Sequence, residues 1–168
     1  MAADELVDDA AFSPDKLFNE KEFSTLIIDR EGFTKKENNT ADLIQTLLEK
    51  ENTREEDEAI FSKLKEANSQ RVIVEAISSA KRIEDKTKLT ATCWECGLDF
   101  TPYFLDFVAL VMQPDFQLAL EALTVVESIE GNLDKATLTK ALEIAKTVKS
   151  DNKELVNDLI ENIKSRIA

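Results

Sequence analysis

Apolar residues at helical spacing recur along this chain in paired segments. The first members of the pairs begin near Thr40, Gln70, Thr101 and Leu133, about every 31 residues. Few folds accommodate such a period. A segment with apolar positions three and four apart lies as a helix with one face on a core. Two such segments with a short connection pack as an antiparallel hairpin. One hairpin cannot bury its apolar faces alone, so successive hairpins stack. The period therefore predicts an all-α fold of antiparallel helical hairpins stacked as a short α-solenoid, with a compact helical bundle as the alternative. Three Gly and three Pro are too few for the tight turns of a many-stranded sheet protein.

The individual segments carry start and stop signals. Leu43, Ile44, Leu47 and Leu48 form the first apolar stripe. Thr53 and Glu56 fit a capping box that opens a helix bearing Ile60, Phe61, Leu64 and Ala67. The third helix carries Ile73, Ala76, Ile77 and Ala80. The fourth carries Leu89, Cys93 and Cys96, with Trp94 on an adjoining face. Gly97 suits the left-handed position that ends this helix, with Leu98 as its hydrophobic contact. Thr101 is expected to cap the fifth helix and Pro102 to begin it, with Phe100 and Leu105 as a hydrophobic staple.

That fifth helix, Pro102 to Gln113, is apolar on nearly every side, leaving Asp106 and Gln113 as its polar stripe. A helix apolar all round belongs in the middle of a domain. Asp115 is the expected N-cap of the sixth helix, which Gly131 ends and whose polar stripe is Gln117, Glu121, Thr124 and Ser128. Leu138, Ala141, Leu142, Ala145 and Val148 mark the seventh. Asp151 and Glu154 fit a second capping box before the eighth, which carries Leu155, Leu159, Ile163 and Ile167. The middle units are the most apolar, so Trp94 and its neighbours through Ile129 are expected in the dry interior. The end units are amphipathic, because they must present a polar outer face.

Residues 1–39 read differently. They form an acidic N-terminal segment, a cap on the first repeat or a flexible tail, ahead of a helical repeat domain over 40–168. Phe12, Phe18, Phe23 and Phe33 are scattered through it, and Ser13-Pro14-Asp15 is a helix-start signal. The stretch 23–29 fits a strand or a helix, and 35–39 reads as a linker.

Charge narrows function. The net charge of −13 disfavours nucleic acid and anionic membranes, which are bound through Lys and Arg, and permits a basic protein partner. The chain has no His, which removes Ser-His-Asp and Cys-His catalysis and His-containing metal sites. No Gly-rich phosphate loop occurs, so no nucleotide cofactor is expected. Met1 to Asp9 is acidic where a secretory leader is basic, and the apolar run Phe107 to Met112 is too short to span a bilayer. These features point to a cytoplasmic protein.

Cys93-x-x-Cys96 falls late in its helix, where the negative helix end and Glu95 oppose thiolate formation. Both cysteines are expected as small core residues rather than a redox pair. Between Leu89 and Asp134 there is no Lys or Arg. Asp99, Asp115 and Asp134 lie near helix N-termini, where the dipole favours them. Asp99, Asp106, Glu121 and Glu127 are the candidate residues of an acidic, partner-binding face. The leading expectation is a non-enzymatic protein–protein interaction module with no cofactor. One alternative is a metal-assisted enzyme in which Asp106 converges with Glu95, Asp99 or Glu121. The other is an acidic mimic of nucleic acid.

Two passages carry a resemblance. Cys93–Phe100 (CWECGLDF) and Ala119–Glu127 (ALEALTVVE) resemble segments of an uncharacterised family of acidic, all-helical bacterial proteins. The likeness covers about residues 70–131 and is similar in architecture to HEAT or armadillo repeats, helical hairpins that serve as binding scaffolds. It implies the helical fold and brings no catalytic residue. The Trp-x-x-Leu-Gly-x-x-Tyr pattern of tetratricopeptide repeats does not occur.

Overall fold

Local signals set most helix boundaries in the computed structural model, which describes residues 39–49 and 51–168. The helices are α1 (39–49), α2 (Arg54–Glu66), α3 (Gln70–Ser79), α4 (Ile83–Glu95), α5 (Phe104–Val111), α6 (Phe116–Ser128), α7 (Lys135–Thr147) and α8 (Lys153–Ile167). The protein is all-α, with no strand among the described residues. The expectations for the N-terminal segment, its Ser13-Pro14 helix start, its strand-or-helix stretch and nearly all of its linker lie outside the described residues.

Several of the expected caps form. Thr53 accepts from the Glu56 N–H at 3.3 Å while the Glu56 carboxylate accepts from the Thr53 N–H at 2.8 Å, which completes the capping box of α2. Asp115 and Asp134 cap α6 and α7 through the N–H groups of Leu118 and Thr137. Gly97 follows the end of α4 at φ +62°, as a left-handed stop requires. The end of α2 uses the other residue type that tolerates this conformation: Asn68 at φ +51°. The Ser69 N–H reaches back to the Leu64 carbonyl and the Asn68 N–H to that of Lys65, so this is a Schellman turn built on Asn.

Three boundaries differ from expectation. Thr101 does not cap α5. A 3-10 turn over Thr101–Tyr103 leads into the helix, and Asp99 Oδ1 accepts from both the N–H and the hydroxyl of Thr101. Helix α6 ends at Ser128, ahead of Gly131. The second capping box does not form: Asn152 stands at the N-cap of α8, and its side-chain amide donates to the Gln113 and Pro114 carbonyls instead.

Consecutive helices pair as hairpins, α3 with α4, α5 with α6 and α7 with α8. The hairpins stack: α4 packs on α6 and α6 on α8, while α5 packs on α7. One hydrophobic core runs through them from Ile44 to Ile163. As its composition requires, α5 lies at the centre, with Phe104, Phe107, Val108 and Val111 buried. The Phe100 and Phe107 rings meet edge to face at 5.5 Å. Cys93 and Cys96 are buried free thiols in this core. Burial pushes both thiol pKa values up. The buried hydroxyls of Thr90 and Thr92 donate to the Lys86 and Lys88 carbonyls of their own helix.

Trp94 is not in that interior. It lies one position off the Leu89–Cys93–Cys96 stripe, and its side chain is 39% exposed. No helix of the described residues is long and apolar enough to cross a membrane.

The segment without cations in sequence is supplied with them in space. Arg166, near the end of α8, donates from Nη2 to the Val126 carbonyl at 3.0 Å. Its guanidinium lies 5.9 Å from the centre of the Phe104 ring. It thus covers a carbonyl in the last turn of α6 and an aromatic face at once. Arg166→Ala is expected to cost about 1–2 kcal/mol from the charged hydrogen bond and the ring contact. Urea unfolding followed by circular dichroism measures this, and a midpoint unchanged from the parent would remove the role.

Candidate functional site: an acidic surface around Trp94

The exposed indole is held rather than loose. Trp94 Nε1 donates to Glu121 Oε2 at 2.9 Å, and Gln117 Nε2 donates to Glu121 Oε1 at 2.8 Å. Gln117 and Glu121 are one helical turn apart on α6, so both oxygens of one carboxylate are engaged by its own helix and by α4. Glu95 follows Trp94 on α4. Partial loss of hydration raises its pKa above the ordinary glutamate range, and the charges of Glu121 and of Asp57 on α2 raise it further. Arg54 and Lys88 act the other way, but more weakly. Lost hydration first, and like charges after it, therefore make the Glu95 charge a cost to stability on this surface.

The sign of that cost is testable. A raised folded-state pKa means the folded chain holds the Glu95 proton to higher pH than the unfolded chain. Stability from this group is thus lost as pH rises through the interval above the ordinary glutamate value. Glu95→Gln should raise the melting temperature at neutral pH and leave it nearly unchanged near pH 4, where protonation of Glu95 removes most of the desolvation and repulsion cost. Equal effects at both pH values would contradict a cost carried by the Glu95 charge. Asp99 and Asp134 act in the opposite sense. Hydrogen bonds from Thr101 and Thr137 hold their pKa values down, so their contributions are present at neutral pH and disappear in acid.

Beside Trp94 a groove of about 450 Å³ opens between the ends of α4 and α6, lined by Trp94, Gly97, Leu98, Asp99, Ser128, Glu130 and Gly131. Of the four expected face residues, Asp99 and Glu121 come to Trp94, one lining the groove and one bonded to the indole. Asp106 does not join them. It lines a separate cavity of about 210 Å³ with Lys86, Ser78 and Phe107. Glu127 is exposed on α6, six residues from Glu121 and so about 120° around the helix. The acidic surface is instead completed by Glu95, Asp57 and Glu130. Glu95 and Glu130 are visible in the sequence as carboxylates of the cation-free segment. Asp57, on another helix, gives no such signal.

Among the described residues no three Cys, Asp or Glu side chains are grouped to hold a metal ion. A further groove of about 600 Å³ runs between α1 and α3, with Ile44, Leu48, Val72 and Ala76 among its apolar lining. No protein-family model, curated protein or solved structure matches this chain.

Proposed function

We propose that the chain is a non-enzymatic protein–protein interaction module of the HEAT/armadillo-like kind, working in the cytoplasm, whose surface around Trp94 takes a basic partner. One observation carries the reading: an exposed tryptophan is fixed in place by a glutamate, among carboxylates that repel one another. Large amphipathic aromatics anchor interfaces at low entropic cost. A cation brought by a partner would relieve the repulsion on Glu95 that the free chain bears. Opposite charge would also hasten encounter. The resemblance over residues 70–131 belongs to this proposal as well, and supports only its scaffold character.

The test is charge reversal on that surface. The chain with Asp57→Lys and Glu95→Lys should keep its helical circular dichroism and lose the basic proteins that the parent retains at low salt. The parent itself should release them near about 0.5 M salt, where screening is short-ranged. Retention unaffected by the reversal would overturn the reading.

A further inference from the structure

We infer that the groove between the ends of α4 and α6 is a receptor for an arginine side chain presented by the partner protein. The inference rests on the interaction reading above and gives that surface a specific anchor. Three features of the groove select a cation. Trp94 lines it with an exposed indole whose N–H is bound by a carboxylate, which enriches the ring in electron density and strengthens its attraction for positive charge. Asp99 and Glu130 line it as acids. Asp99 makes both of its Thr101 bonds through Oδ1, so Oδ2 is left to accept from a ligand. The last residue to line it from α6 is Ser128, and Gly97 follows the end of α4. Two helix C-termini, each the negative end of its dipole, therefore border the same space.

The same chemistry already operates within the fold. Arg166 satisfies a carbonyl of the last turn of α6 while lying over the Phe104 ring. An internal cation also comes near the groove: Lys65 Nζ lies 3.4 Å from where a Cβ on Gly97 would sit. Neither side chain lines the groove. Arginine fits better than lysine because a planar, multi-donor guanidinium can stack on the indole and still donate to separate acceptors. An ammonium offers a point charge, and Lys65 already supplies one nearby.

Trp94 is the only tryptophan of the chain, so its fluorescence and its indole N–H resonance report on the groove alone. The probes are capped hexapeptides Gly-Ser-Gly-Xaa-Gly-Ser, with Xaa arginine, lysine or citrulline, titrated into the full chain. The arginine peptide should shift the indole signal saturably, and the neutral isostere citrulline should bind at least about tenfold more weakly, as expected when a charged hydrogen bond is lost. Lysine should fall between them. Asp99→Asn with Glu130→Gln should weaken the arginine peptide at least about fivefold. The Asp99→Asn side chain retains an oxygen to hold Thr101, and Glu130 is exposed, so this pair should leave the circular dichroism unchanged.

A citrulline peptide that binds as well as arginine, or binding unaffected by the two substitutions, would overturn the inference. So would the absence of any saturable shift. The outcomes separate it from the broader reading. If basic proteins are retained through Asp57 and Glu95 but the arginine peptide leaves the indole signal unmoved, the surface stands and the anchor falls. If the peptide binds in the groove but charge reversal changes no retention, the anchor stands and the wider surface falls.

Discussion

Phe104→Ala should lower the free energy of unfolding by about 3–5 kcal/mol, while Trp94→Ala should cost only about 1–2 kcal/mol. The order inverts the usual ranking by size. Phe104 is 1% exposed at the start of the central helix α5 and carries Arg166 on its ring, whereas Trp94 is 39% exposed and keeps one hydrogen bond. Truncating the buried ring leaves a cavity and removes the aromatic face beneath a guanidinium. Truncating the indole mainly uncovers a surface carboxylate. Denaturant titration followed by circular dichroism gives both numbers, and a Trp94 cost equal to that of Phe104 would mean the indole is buried after all.

The second large effect comes from a residue with no side chain. Gly131→Ala should cost about 3 kcal/mol by overpacking. A Cβ at this position would collide with Thr101 Oγ1 and would fall 2.8 Å from its Cγ2 and 2.9 Å from its Cβ. Thr101 cannot easily swing away, because Asp99 holds its hydroxyl and its N–H. The close approach seats the connection after α6 on the 3-10 turn that leads into α5. Adding Thr101→Ala removes two of the three clashing atoms and should recover about half of the loss, a coupling that a double-mutant cycle measures. Strict additivity would show that Gly131 matters for another reason.

The two results mark where reading a sequence succeeds and where it stops. The hairpin period, the central place of α5, the caps at Thr53 and Asp115 and the place of Asp134 at a helix N-terminus are legible because each depends on residues close together along the chain. The thiols at 93 and 96 are legible too, since their spacing puts them on the stripe of Leu89. Trp94 is not. Its size and the apolar segment around it argue for burial, yet an indole N–H needs an acceptor. Here the acceptor is Glu121, on a helix that begins 22 residues later and faces α4 across the stack.

Asp151 and Glu154 show the converse error: the capping spacing is present, but Asn152 reaches carbonyls 39 and 38 residues back and takes the position. The candidate surface is scattered in the same way. Asp99 and Glu121 meet at Trp94 through packing, while Asp106 shares their segment and lies elsewhere.

Helix α8 is fastened at both of its ends to the hairpin before it. Asn152 ties its first turn to the connection between α5 and α6, and Arg166 ties its last turn to α6 and Phe104. Helix ends ordinarily fray, since their last turns lack hydrogen-bond partners and have few packed neighbours. A double clasp of this kind should suppress fraying, so that amide protons along α8 exchange with solvent nearly as slowly as those of α6.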